Sequence, residues 1–284
     1  MLKRKVEWGM FRYDREKCIH CGLCEKVCSY RTGNIRHSKD GVIFEQQDCF
    51  HCGQCIAVCP AGALSNDEYD SNEWKEKKDA PQKISPESLQ FAMEFRRSIR
   101  HFTEKPVSKE TLQQVINAGR YAPSGGNRQK LRYIVLQQDL EEFRRIIVDG
   151  FAGLQESGEL EKILNYNEGY LAKWKEIIEE DRSGNRIHDR FLFHAGTVIL
   201  TCGPKISTLE AGMALQNMDL VANALGLGCC YVGFLRTAAI YLPKVREYLE
   251  LPEEELLLNG MVIGYPAIRF QRTTIKRPVK ITFR

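Results

Sequence analysis

Eight of the chain's eleven cysteines fall between Cys18 and Cys59, in two runs with the same spacing, C-x2-C-x2-C-x3-C. The runs are Cys18, Cys21, Cys24, Cys28 and Cys49, Cys52, Cys55, Cys59. The surrounding segments, CIHCGLCEKVCS (18–29) and CFHCGQCIAVCP (49–60), are offset by 31 residues and agree at seven of twelve positions. This is a duplicated unit with a pseudo-two-fold arrangement. Three thiolates at i, i+3 and i+6 let one tight loop wrap three corners of a cube-shaped cluster. The fourth, at the start of a helix, points away from that loop. Structural zinc normally takes two separated cysteine pairs per ion, not four cysteines in eleven residues. The spacing therefore reads as iron–sulfur binding. Gly22 and Gly53 stand inside the loops, where backbone has to approach inorganic sulfide closely.

On these runs the N-terminal part resembles a bacterial-type 2[4Fe-4S] ferredoxin. The resemblance implies two clusters and a crossed ligand pattern, in which the fourth cysteine of each run serves the other cluster. The sets are then Cys18, Cys21, Cys24 and Cys59 for one, and Cys49, Cys52, Cys55 and Cys28 for the other. Ser29 stands where the family usually has proline; Pro60 keeps it. Short strands are expected at MFRY (10–13) and GVIF (41–44). His20 and His51 occupy equivalent repeat positions, which repeat symmetry and exposure explain more simply than ligation. A unit this small has no room for a substrate pocket beside two clusters, so its expected job is to move single electrons.

The chain has 284 residues, 43% hydrophobic and 27% charged, too apolar for disorder. No run approaches the roughly 18 apolar residues of a membrane span. The start, MLKRKVEWGMF, is basic but lacks an apolar stretch, so no secretory signal is expected. A cytoplasmic location is the expectation, and a disulfide framework is not. Residues 1–80 balance 13 basic against 13 acidic residues, so the formal +4 belongs to 81–284, with 28 against 24. The polar stretch NDEYDSNEWKEKKDAPQKISPE (66–87) reads as a linker. Two domains are expected, 1–66 and 88–284, joined by 67–87.

The larger domain mixes helical and strand patterns. Ser85-Pro86 opens a helix to about Phe95. Ser108 caps another, with Gly119 as its stop. Strands are expected at 131–137, 197–201, near Cys230–Phe234 and at 256–266, with a long helix over about 209–225 before the turn Gly226-Leu227-Gly228. The fold class is α+β rather than regular βαβ repetition. Leu160, Ile163, Leu164, Tyr170, Trp174 and Ile177 recur at near-helical spacing and read as core or dimer surface, with a lid as the sharper alternative. His188 and His194 read as structural. There is no G-x-G-x-x-G, P-loop, H-E-x-x-H or G-x-S-x-G motif. Basic, amide and glycine-rich sites remain, which suit an anionic, planar cofactor.

Four segments in order, RRSIRHF (96–102), APSGGNRQ (122–129), ALGLGCCYVGF (224–234) and VIGYP (262–266) with a late Lys276-Arg277-Pro278, resemble the FMN-dependent nitroreductase family. The resemblance implies that Arg96, Ser98 and Arg100, with Arg97 beside them, hold the FMN phosphate and the pyrimidine edge of the flavin. Asn127 matches an amide that bonds the flavin edge, with Ser124 and Gln129 adjacent. Lys130-Leu131 replace the family's Pro-Trp. Val232 and Gly233 match the backbone that approaches flavin N5, where an N–H would stabilise charge on the reduced ring. Lys276 or Arg277 would complete the phosphate site. Cys229 and Cys230 read as buried, inert thiols. FMN carries the chemistry, so no catalytic side chain is assigned. The family is dimeric with FMN between subunits, which implies a homodimer whose Asn127 serves the partner's flavin.

Together these features imply an oxidoreductase passing electrons between two [4Fe-4S] clusters and FMN to a small acceptor such as a nitro compound or quinone. External ferredoxin or NAD(P)H would be the donor. Two alternatives stand beside it: an NAD(P)H-oxidising flavoprotein exporting electrons through its clusters to a protein, and a non-catalytic electron-transfer or redox-sensing module. No basic–aromatic motif supports nucleic-acid binding.

Overall fold

A computed structural model of the chain describes residues 11–28, 34–38, 41–45, 49–67, 69–70, 73–80, 83–164, 168–186 and 189–284. Met10, Ser29 and His188 lie outside the described residues. The chain divides into two units, residues 1–83 with 125–128, and residues 84–124 with 129–284. The break after Lys83 falls inside the polar stretch of 66–87.

The small unit runs β1 (Phe11–Tyr13), α1 (Leu23–Val27), β2 (Ile35–Ser38), β3 (Gly41–Phe44), α2 (Gln54–Ala57) and β4 (Leu64–Asn66). Its strands form two antiparallel pairs, β1 with β4 and β2 with β3. The sequence repeat is visible in the backbone. Gly22 caps α1 at φ 72° and Gly53 caps α2 at φ 71°, left-handed positions that glycine takes without steric cost. The core is small: Ile35, Ile56 and Leu64 pack around Cys24 and Cys55. Phe11 stacks on Phe44 at 4.3 Å.

The larger unit contains α3 (Pro86–Phe95), α4 (Lys109–Gly119), β5 (Arg132–Leu136), α5 (Leu140–Glu156), α6 (Leu160–Leu164), α7 (Glu168–Arg182), β6 (Val198–Gly203), α8 (Thr208–Ala224), β7 (Gly228–Tyr231), α9 (Phe234–Tyr241), α10 (Pro243–Tyr248) and β8 (Leu256–Gly264). Helix starts follow their caps. Ser85 Oγ accepts the Ser88 N–H at 3.1 Å, with Pro86 at the first position, and Ser108 Oγ accepts the Thr111 N–H at 3.2 Å. The sheet is antiparallel, in the order β5-β6-β8-β7.

Helices cover both faces of this sheet, so its central strands are apolar on both sides, and all six residues of β6 are buried. Leu112 and Val115 of α4 and Leu215 and Met218 of α8 meet Ile199, Cys229, Met261 and Ile263 on one face. On the other, Phe143, Ile147 and Phe151 of α5, Trp174 and Ile177 of α7 and Leu235 of α9 meet Val198, Leu200, Cys230 and Val262. The two-residue period of β7 thus sends Cys229 and Cys230 into different layers. No helix among the described residues is long and apolar enough to cross a membrane.

α4 ends at Gly119, as expected; a Cβ there would lie 2.2 Å from Met218 Cε, so the glycine also serves the close approach of α4 and α8. Two expectations need adjustment. The strand expected near Cys230–Phe234 lies at Gly228–Tyr231, because Gly233 already caps α9. In the variable segment, Leu160, Leu164, Trp174 and Ile177 are core and Ile163 is partly buried, whereas Tyr170 is exposed.

The basic segment 96–100 lies along the free edge of β7. Ser98 bridges Cys229 in parallel, and the Ile99 N–H donates to the Cys229 carbonyl at 2.9 Å. Ile99 sits over Gly228, where a Cβ would fall 2.2 Å from its Cγ1 and 2.8 Å from its Cβ. Gly228→Ala should therefore cost about 1–3 kcal/mol by overpacking. Gly212→Ala, in α8 with nothing within 4 Å of the new methyl, should be neutral or stabilising. Thermal unfolding followed by circular dichroism checks this: a clear drop in midpoint for the first variant and none for the second.

Candidate functional site

In the small unit, the cysteine loops are built on paired left-handed residues. His20 and His51 have φ of 54° and 49°, two residues before the helix-capping glycines. This turns their N–H groups onto sulfur: His20 N–H points at Cys18 Sγ at 3.4 Å, and His51 N–H at Cys49 Sγ at 3.3 Å. Ala63 N–H does the same for Cys59 Sγ at 3.3 Å. Amides aimed at sulfur stabilise thiolate. The equivalent histidines thus share a backbone task. His51 is buried and His20 exposed, so exposure accounts for only one of them.

The structure gathers the thiols crosswise. Cys18, Cys21, Cys24 and Cys59 line one cavity with Tyr13 and His37. Cys28 lies close enough to Cys49 and Cys55 to perturb them electrostatically, and is itself perturbed by Cys52. Burial pushes Cys24, Cys28 and Cys49 up, and Cys55 up to about 12. Four desolvated thiols that resist ionisation fit a multivalent cationic core, which alone would hold them as thiolates. Among the described residues, no three His, Cys, Asp or Glu side chains converge to hold a single ion.

Sequence reasoning missed His37. Its Nε2 stands 3.3 Å from Cys24 Sγ. It becomes visible only when β2 folds back beside the first loop.

In the larger unit, the edge position of 96–100 spreads its side chains. Arg96 Nη1 donates to Asp219 Oδ2 at 3.0 Å, and that carboxylate on α8 is only 1% exposed. Burial raises the Asp219 pKa, and the Arg96 guanidinium opposes the rise. Arg97 donates to the Glu94 carbonyl and, at 2.7 Å, to Thr274 Oγ1. This brings the C-terminal tail, two residues before Lys276, beside the segment. Lys276 and Arg277 themselves lie exposed in a tail without helix or strand. Arg100 turns to the other layer, 5.7 Å from the centre of the Phe193 ring.

Arg100 there lines a cavity of about 340 Å³ with Lys173, Cys230, Val232, Gly233 and aromatic walls. Val232 N–H donates to the Gly260 carbonyl at 2.9 Å, so the strand-to-helix turn is pinned and its own donor is used. Gly233, the cap of α9, borders the cavity. The Phe191–Phe193 wall is shaped by buried Asp189, whose carboxylate accepts from the N–H groups of Phe191, Leu192 and His194 and faces Arg144 at 3.4 Å. Phe193 and His194 take φ of 59° and 54° there, a costly turn held by its surroundings.

Ser124 Oγ accepts the Gln129 N–H at 3.2 Å. Asn127, in the stretch grouped with the small unit, donates from Nδ2 to the His51 carbonyl at 2.9 Å. Neither Ser124, Asn127 nor Gln129 lines the Arg100 cavity. Cys202, Cys229 and Cys230 are buried and their thiols are pushed up chiefly by burial, Cys202 to about 11, consistent with inert thiols.

Comparison with known proteins decides the family. Residues 93–265 match the model of the nitroreductase family. The chain belongs to that family. Residues 11–63 match a 4Fe-4S dicluster domain, so an iron–sulfur domain precedes the nitroreductase domain. An FMN reductase [NAD(P)H] of Bacillus subtilis is 30% identical over 176 residues, 61% of this chain and 64% of that protein. An FMN reductase (NADPH) of the same organism is 42% identical over 62 residues, 22% of this chain and 24% of that one. The chain thus spans less than two thirds of either relative. A solved nitroreductase with bound FMN from Bacteroides fragilis aligns with a TM-score of 0.53 at 22% identity, covering 69% of this chain and 98% of that one, and shows the fold.

Two predictions follow from this geometry. Loss of the His37 hydrogen bond destabilises the reduced, more negative cluster by about 1 kcal/mol, so His37→Leu should lower one cluster potential by roughly 40 mV. Redox titration followed by electron paramagnetic resonance should show one couple moving and the other fixed; two unmoved couples would contradict it. Arg96→Ala leaves Asp219 buried without its cation and should cost about 3–5 kcal/mol at neutral pH. Because the folded Asp219 pKa lies above its unfolded value, the cost is full above that pKa and shrinks as acid protonates the carboxyl. Urea unfolding across pH reads both the size and the sign.

Proposed function

We propose that the chain is an FMN-dependent oxidoreductase that passes electrons between two [4Fe-4S] clusters and FMN to reduce a small organic acceptor, such as a nitro compound or quinone. The crossed grouping of eight cysteines ahead of a nitroreductase domain, in one polypeptide, carries this reading. Cys18, Cys21, Cys24 and Cys59 hold one cluster; Cys49, Cys52, Cys55 and Cys28 hold the other. The clusters supply one-electron steps and the flavin joins them to two-electron chemistry.

The chain's own residues supply placement. Arg96, Arg97 and Ser98, with Lys276 or Arg277 from the tail tied near Arg97, hold the phosphate. Arg100 neutralises the electron-rich pyrimidine edge, and the Val232–Gly233 turn sets the depth of the ring. Ser124, Asn127 and Gln129 contribute from a partner subunit in a homodimer. In the tail, Ile275 and Phe283 are over 90% exposed and Val279 and Ile281 over 60%, as an arm made for a second copy would be.

The names of the Bacillus relatives favour NAD(P)H as a donor; the second reading is that NAD(P)H reduces FMN and electrons leave through the clusters to a protein acceptor. Anaerobic addition of NAD(P)H discriminates: rapid flavin bleaching supports that direction, whereas reduction only by reduced ferredoxin or dithionite supports the inward one. Anaerobically purified protein should carry about eight iron atoms and one FMN per chain. Cys59→Ala should remove the cluster of the first run rather than its own, leaving about four iron atoms. Zinc in place of iron, or no flavin, overturns the corresponding half of the proposal.

A further inference from the structure

The cavity beside Arg100 contains a second cation that the flavin motifs do not include. Lys173 projects from α7, half-buried, with Nζ 5.5 Å from the centre of the Phe193 ring and 5.7 Å from that of Phe234. Arg100 stands over the same Phe193 ring. Two like charges therefore share one aromatic ring.

Neither has a carboxylate partner among the described residues. The contrast on α7 itself is direct: Lys175 pairs with Glu161 at 2.8 Å and Arg182 with Glu156, while Lys173 has rings only. The acids nearest the site are already engaged. Asp189 is held by Arg144 and three backbone N–H groups. Glu176 and Glu180 pair with Arg190. Burial, and then repulsion from Arg100, pushes the Lys173 ammonium pKa down. Contacts with ring faces return only part of the lost hydration. An ammonium kept in this position gains most from a visiting anion.

The walls say what kind of anion fits. Tyr170 and Phe234 meet edge to face at 5.1 Å, and Phe191 and Phe193 close the other side. A planar ring suits such a slot. We propose that Lys173 is a substrate-binding residue that takes the carboxylate of an aromatic acceptor, whose ring lies between Tyr170, Phe193 and Phe234. This rests on the reading of the Arg100 cavity as the flavin's. Arg100 then serves the cofactor and Lys173 the substrate, and the preferred acceptors are nitroaromatic or quinone carboxylates over their neutral analogues.

Benzoate, an unreactive anion, and benzamide, its neutral counterpart of the same shape, test this on the FMN-loaded protein. Binding is read by calorimetry and by perturbation of the flavin spectrum. Benzoate should bind more tightly than benzamide. Lys173→Met, which keeps the apolar stem, should weaken benzoate about tenfold and leave benzamide within twofold. Lys173→Arg should restore most of the loss, which a merely structural role for the side chain would not do. Flavin content is measured on the same samples. Full flavin with no preference for benzoate, or a Lys173→Met variant that loosens FMN while the benzoate-to-benzamide ratio stays fixed, overturns the substrate assignment alone. Absence of flavin from the wild-type protein overturns the underlying reading and this one with it.

Discussion

Thiolate burial is the constraint from which the small unit follows. Its apolar core amounts to Ile35, Ile56, Leu64 and a few flanking rings. Chains this short seldom hold together on such a core, and metal is one of the usual remedies. The backbone accommodates the metal at a conformational cost, with left-handed non-glycine residues at His20 and His51 and amides turned onto sulfur. Strain of this kind persists where the ligand repays it. The two-stranded sheets are braces for the loops rather than a scaffold that would stand without them.

The larger unit solves a different problem, that of presenting cations to one region without their repelling the fold apart. Its answer is to lay residues 96–100 along the edge of β7, with Ser98 bridging Cys229. Arg96 drops toward α8 and is neutralised by Asp219; Arg100 goes to the cavity and is left with aromatic company. The notch at Gly228 fixes the register, since only a residue without a side chain lets Ile99 settle there. Edge pairing also occupies the outward Cys229 carbonyl of β7, which would otherwise be open to other chains.

Much of this was legible in the sequence, for reasons that are local. The cysteine spacing, the caps at Ser85 and Ser108 and the apolar periods of β6, β8 and α8 act over a few residues, and each produced the element expected. What escaped is non-local. Asp219 is 123 residues from Arg96, and nothing in its helix marks it as a partner. His37 and Lys173 look like ordinary surface residues until β2 and α7 are placed. Gly119 ends its helix as expected, but its second role, making room for Met218 across the interface, is not visible from its own segment. The strand before Phe234 was set too late because Val232 and Tyr231 are strand-like residues, while the turn at Gly233 answers to the cavity.

The proposed exchange of Cys28 and Cys59 as ligands between the two halves has a consequence for assembly. Each half of the repeat owns only three of the four ligands its own loop requires, so neither half is a self-sufficient module. A lesion at one fourth cysteine is felt across the pseudo-two-fold, in the partner loop, before it is felt at home. The ancestral duplication has become irreversible in this sense: the copies can no longer be separated, because each has lent the other a corner.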